Sequence, residues 1–168
     1  MAIHPDSSPS SSPGAALPAR LNDSEAPADR LAEAAARVMW SEDSASRGLG
    51  MELLEVRAGQ ATLRMPIRAD MTNGHGICHG GFMFLLADST FAFACNSHNQ
   101  RTVAAGAEVH FLAPARAADV LTARGHQVHR GGRSGIYDIE VRNQRDELVA
   151  VFRGRAATIA GQLVESAQ

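Results

Sequence analysis

Between Gly80 and Gln100 the chain reads GGFMFLLADSTFAFACNSHNQ, and Asp88 is the one formally charged side chain in it. An aspartate that caps a helix belongs at the helix start. Asp88 instead stands about two turns in, beside Leu85, Leu86, Ala87 and Phe91. Apolar surroundings disfavour the charged form of a carboxyl, so this group is expected to titrate high and to be a better base than a solvated aspartate. The competing reading is a structural acid paired inside the fold.

A second element lies just upstream. His79-Gly80-Gly81 puts small residues where a helix begins, with backbone N–H groups unpaired and the macrodipole positive. Glycine lets a ligand approach those amides, which makes an anion site or an oxyanion hole for a polarised carbonyl. A tight loop entering a helix is the alternative. Gly80 and Asp88 are eight residues apart, so about 12 Å of helix rise separates them. A base and an oxyanion donor must both lie within ~3 Å of one reacting centre. A single helix cannot bring them together, whereas two antiparallel copies about a two-fold axis can. The spacing therefore predicts two equivalent sites at a dimer interface.

Other motifs carry less. GHGICHG falls short of G-x-G-x-x-G because its sixth place is His79, and no βαβ context surrounds it. His75, Cys78 and His79 sit on a glycine-rich loop without an evident fourth ligand, so no metal is expected. Cys78 as a nucleophile needs an activating base whose geometry its neighbour His79 does not guarantee. No G-x-S-x-G occurs. His110, His126 and His129 read as structural. Arg130 and Arg133 flank the turn Gly131-Gly132, Ser134 follows, and Arg116 lies on the preceding connection. Solvated charge is one reading; the other is a phosphate clamp of guanidinium groups and turn amides, suited to a nucleotide handle.

These groups need elements to position them. Residues 1–28, rich in Ser, Pro and Ala, bury too little to offset ordering entropy and read as a disordered tail. Leu31, Ala34, Ala35, Val38 and Met39 recur at helical spacing, predicting a helix from Asp29 to about Ser46, anchored by Trp40. Strands are expected at 51–57 and 60–68, joined at Ala58-Gly59, with Pro66 at an edge or an irregular end. A helix from Phe82 to about Ser97 follows, then strands at 102–112, 119–130, 134–143 and 148–160. The order implies an α+β domain over 29–162, a largely antiparallel sheet wrapped around one apolar helix, with a short tail at 163–168. A helix apolar all round needs cover on every side, which points again to a partner subunit.

The chain has 168 residues, 45% hydrophobic and 20% charged, enough for one domain with a sizeable core. A formal net charge of -2 supplies no basic field for nucleic acid. Two cysteines fit a reducing cytoplasm, and neither a signal peptide nor a membrane span is evident.

The stretches NGHGICHGGFMFLLADSTFAFACNS, HFLAPA, GRSGIYDIEVRNQ and AVFRGRA together resemble the hotdog-fold acyl-CoA thioesterases, more closely the phenylacetic acid degradation (PaaI-type) branch. The resemblance runs from about Leu31 to Gly161. It implies hydrolysis of a coenzyme A thioester of phenylacetyl or hydroxyphenylacetyl type, with no separate cofactor. It also implies a homodimer with shared sites, commonly paired into a tetramer. By position Asp88 matches the family's catalytic carboxylate, as nucleophile or as general base. Gly80 matches the glycine whose N–H polarises the thioester carbonyl, with Gly81 beside it. Asn73 matches the site amide, and His79 a histidine with a substrate-positioning or loop-ordering role. Related members carry a water-positioning hydroxyl on the following strand, where this chain has Ala104-Ala105-Gly106; Ser89 and Thr90 are the nearest substitutes. A hydratase on this fold needs a histidine and acid at another spacing. A non-catalytic acyl-CoA or small-aromatic binding module stays open as the alternative.

Overall fold

The computed structural model describes residues 26–165. The chain opens with α1 (Pro27–Glu42), which buries Ala32, Ala35 and Ala36. Pro27 suits its first turn, because a first-turn N–H has no intrahelical partner to lose. The helix thus takes in Pro27 and Ala28, two residues expected in the tail; residues 1–25 of that tail lie outside the described ones. The single helix expected to about Ser46 is in fact two. Asp43 breaks it and accepts a hydrogen bond from Ser46 N–H, starting the short α2 (Ser44–Gly48).

Six antiparallel strands follow: β1 (Glu52–Arg57), β2 (Gln60–Pro66), β3 (Thr102–Phe111), β4 (Val120–Gly131), β5 (Ser134–Arg142) and β6 (Leu148–Thr158). They form one sheet in the order β1-β2-β4-β5-β6-β3. The long helix α3 (Gly80–Asn96) lies across it. Tyr137, Ile139 and Val141 on β5 and Leu121 and Ala123 on β4 point into the core, while Asp138, Glu140 and Arg142 take the outer face. Period-two patterning on these strands produces that division directly. Pro66 ends β2 opposite Val120, so the strand is internal and the proline occupies its end, where no further ladder bond is lost.

The helix rests very close to the sheet. A Cβ on Gly154 would stand 2.7 Å from the Phe91 ring, so glycine is what lets β6 accept this helix. Phe91, Phe152 and Tyr137 form a connected aromatic cluster beneath it. Burying a side chain of that size contributes about 2–3 kcal/mol. On the other side α1 and α2 supply part of the cover that was expected from a partner: Trp40 packs on Phe93, and Ser46 Oγ meets Ser89 Oγ at 2.9 Å. Phe82, Phe84 and Leu85 remain only half-buried.

Two features bear on assembly. β3 is an edge strand, and every residue from Val103 to Glu108 is exposed. At the other end of the chain, Leu163 and Val164, expected in a loose tail, both donate their N–H groups to Asn99 Oδ1; residues 166–168 lie outside the described ones. None of the described helices is long and apolar enough to cross a membrane.

Candidate active site

The loop leading into α3 is tightly tied. Thr72 bridges to Cys78, Asn73 N–H donates to Ile77 O, and Gly76 N–H donates to Asn73 O. Cys78 N–H reaches Ala115 O and His79 N–H reaches Met71 O, each under 3 Å (2.8 and 2.9 Å). Asn73 is half-buried, and its Oδ1 accepts from His75 N–H at 2.9 Å. With that oxygen engaged, the Asn73 side chain can offer its NH₂ as donor to a ligand.

At the helix start, the side chain of His79 is the N-cap. Its Nδ1 accepts from Gly81 N–H at 3.0 Å, and its carbonyl accepts from Phe82 N–H at 3.0 Å. Gly80 N–H has no partner among the described residues. Each glycine of the pair has its own reason. A Cβ on Gly81 would press on the His79 ring at 3.2 Å, and one on Gly80 would meet the tip of the Phe111 ring at 2.9 Å. Phe111, half-exposed on β3, therefore stands at the mouth of the site. Sequence reasoning missed it, since the contact joins residues 31 positions apart by a strand pairing that no local pattern announces.

Asp88 lies on the same helix, half-buried, and makes no hydrogen bond or ion pair among the described residues. Burial raises its pKa above the ordinary carboxylate value, as expected for a carboxyl that has lost water without gaining a donor. The neighbouring hydroxyls are otherwise engaged: Thr90 Oγ1, fully buried, donates to Leu86 O, and Ser89 meets Ser46. Thr90 is thus no substitute for the hydroxyl lacking at Ala104-Ala105-Gly106. That segment forms a bulge in β3, where Arg155 Nη2 donates to Ala105 O at 3.1 Å.

The structure does not assemble the expected phosphate clamp within one chain. Arg116 follows Ala115, whose carbonyl holds Cys78 at the start of α3. Arg130 donates to Gln100 Oε1, beyond the end of α3, and Arg133 to Thr158 O. Seventeen residues of helix, about 25 Å, separate those ends. The Gly131-Gly132 turn and Ser134 stay with Arg130 and Arg133, Gly132 adopting a φ of +57°. Cys78 is buried, and burial first, then the charge of Asp119, pushes its thiol up, which disfavours the thiolate a nucleophile needs. His75, Cys78 and His79 do not converge: His75 is exposed, Cys78 buried, and the His79 Nδ1 is spent on Gly81.

The sequence and the fold are matched by known proteins. A family model described as the thioesterase superfamily matches residues 75–150. Over 132 residues the chain is 41% identical to acyl-coenzyme A thioesterase PaaI of Escherichia coli (strain K12), covering 79% of this chain and 94% of that protein. The solved structure of E. coli PaaI, from the phenylacetic acid degradation operon, superposes with a TM-score of 0.79 at 40% identity, covering 80% of this chain and 97% of that one. A protein of Streptococcus pneumoniae TIGR4 described as a hypothetical thioesterase, solved with coenzyme A, gives a TM-score of 0.64 at 25% identity, covering 67% of this chain and 87% of that one. The chain, whose apolar helix lies on a six-stranded antiparallel sheet, belongs to the thioesterase superfamily and carries its hotdog fold.

Proposed function

We propose that this protein hydrolyses acyl-CoA thioesters of the phenylacetyl or hydroxyphenylacetyl type to the free acid and coenzyme A. The observation that carries the reading is Asp88, partly desolvated and without a partner among the described residues, on the helix whose first amide, Gly80 N–H, is likewise unpaired among them. A half-buried acid that has lost water without gaining a donor costs stability, and a site that uses it is the natural reason to keep it. The names of the E. coli relative and its operon support the thioester and the aromatic acyl class.

The site is read as shared between two copies. The exposed edge of β3 offers unpaired N–H and C=O groups to a second β3 running antiparallel. Under that two-fold axis the Asp88 of one chain approaches Gly80 of the other. The Arg130–Ser134 turn, lying beside Thr102 at the start of β3, swings toward the partner's helix start, where Phe111 ends β3. One chain thus supplies the oxyanion donor with Asn73, and its neighbour supplies the acid with Arg130 and Arg133 for the phosphates of the substrate. Arg116 borders the helix-start end. Two such dimers pair into a tetramer in this reading, and the free, buried Cys78 and Cys95 suit the cytoplasm.

Two routes fit the geometry. As general base, Asp88 takes a proton from water while the oxygen adds to the thioester carbonyl. Gly80 N–H holds the oxyanion, whose collapse expels the thiolate, and the thiolate recovers the proton. As nucleophile, the carboxylate oxygen adds instead and expels the thiolate, leaving a mixed anhydride that water hydrolyses. Single turnover in ¹⁸O water marks the second route where water attacks the Asp88 carbonyl of the anhydride, since label in Asp88 arises only that way; attack on the acyl carbonyl labels the product acid, as the first route does. The activity itself is tested by thiol release from phenylacetyl-, hydroxyphenylacetyl-, benzoyl- and fatty acyl-CoA. Fastest turnover of the first two supports the reading. Tight binding of the esters without thiol release supports the binding-module alternative.

A further inference from the structure

We infer that Phe111 sets the acyl specificity: its ring is the wall against which the aryl group of the substrate lies while Gly80 N–H holds the thioester carbonyl. This role rests on the thioesterase reading above. Directly opposed residues of antiparallel strands share a face, so one row of side chains can be followed across the whole sheet. It runs Phe111, Ala150, Val141, Ala123, Leu63, Leu53, from β3 at one edge to β1 at the other. The last five are buried in the core, whereas Phe111 is 50% exposed. The inward face of the sheet thus ends, at the β3 edge, in a half-exposed aromatic ring.

That ring lies against the helix start. Its tip would stand 2.9 Å from a Cβ on Gly80, so it packs on the residue whose amide is unpaired among the described ones. Gly80, Phe84 and Asp88 follow one another at spacings of four, which places them along one stripe of α3. Phe84 packs edge-on against Phe152 of β6, with centroids 5.5 Å apart, and Phe152 pairs with Val109 of β3. The stripe therefore looks toward the same edge of the sheet that carries Phe111. A carbonyl held at Gly80 N–H has the Phe111 ring beside it and Phe84 one turn along the helix. Edge-on and offset contacts between rings add to simple burial, and a saturated group of the same size cannot make them. An acetyl group presents no ring and little surface, so it gains little there.

The test is kcat/KM for phenylacetyl-, cyclohexylacetyl- and acetyl-CoA, measured on one preparation of each protein so that the fraction of active sites cancels in the ratios. Wild type is expected to prefer phenylacetyl- over cyclohexylacetyl-CoA by about 2- to 10-fold. Phe111→Ala is expected to lower kcat/KM for phenylacetyl-CoA about 10- to 100-fold, and that for acetyl-CoA less than about threefold. Phe111→Leu keeps apolar bulk without a ring. It is expected to hold the cyclohexylacetyl-CoA value and lose the preference for the aromatic ester, and it carries the test should the alanine variant not fold. Equal losses on all three esters overturn the inference, because the ring then supports the helix start or meets the thiol arm common to them. An unchanged aromatic preference in the variants, or none in wild type, also overturns it while thioester hydrolysis stands. Wild-type protein that releases no thiol overturns the thioesterase reading, and this inference with it.

Discussion

The two ends of α3 treat polar groups in opposite ways. At its C-terminal end the polar side chains from Asn96 to Asn99 are paired. Asn96 Nδ2 donates to Ala92 O and Thr102 O while its Oδ1 accepts from Thr102 N–H, and Ser97 Oγ links Ala94 O to Gly59 N–H. His98 and Tyr137 share Gln127 Oε1, and Asn99 ties down Leu163 and Val164. In the N-terminal half Gly80 N–H and the Asp88 carboxyl have no partner among the described residues. A saturated polar cluster holds a fold together; an unsaturated one, buried at some cost, is kept for a ligand.

Breaking that contrast should yield different kinds of damage at the two ends. The largest effect is expected from Asp88→Asn, which should lower kcat on the order of 1000-fold or more in a thiol-release assay while folding normally. The same variant should melt higher at neutral pH. Burial raises the Asp88 pKa in the folded state, so the folded protein binds more protons than the unfolded one, and stability falls as pH rises from the ordinary carboxylate value through the folded one. Full activity, or a lower melting temperature, contradicts this account of Asp88.

Gly80→Pro follows at about 100- to 1000-fold in kcat, since it deletes the helix-start amide that is unpaired among the described residues. Proline is well tolerated at a first helical position, and His79, at φ -64° and ψ 130°, already has the extended backbone a proline requires before it. The Phe111 ring tip, half-exposed, has room to yield to the new Cβ. A folded Gly80→Pro enzyme at wild-type kcat removes this amide from the mechanism.

At the saturated end, Asn96→Ala should cost about 1–3 kcal/mol in urea unfolding, because it strands the part-buried N–H and C=O of Thr102. Turnover per folded molecule should hardly change, and a large fall in kcat would blur the contrast. The smallest effect concerns pH: the acidic limb of kcat/KM should have its midpoint above 3.8, the ordinary value for this carboxyl, and should vanish from whatever activity Asp88→Asn retains.

Much of this was legible in the residues themselves. Asp88 announced its burial through the apolar run around it, and the alternation of Tyr137, Ile139 and Val141 fixed the buried face of β5. Asp43 ahead of Ser44 and Ser46 is a usable start signal for α2, but the apolar periodicity runs on through it and masks the break. What pattern could not supply was pairing over distance. That β3 returns to β6, that Phe111 thereby reaches Gly80, and that Arg116 and Arg130 lie at opposite ends of α3 all depend on strand order, which local propensity does not encode. Likewise a loop-ordering or substrate-positioning role for His79 follows from the resemblance, while its bond to Gly81 N–H depends on a ring orientation that no local pattern encodes.

The central claim, that one copy supplies Asp88 and the other Gly80, is tested most directly by mixing two inactive variants. Asp88→Asn and Gly80→Pro, co-refolded in equal amounts, should form half mixed dimers, each with one intact site. About a quarter of wild-type activity should therefore return. If acid and amide worked within a single chain, every site in the mixture would carry one defect, and the mixture would stay as inactive as its parts.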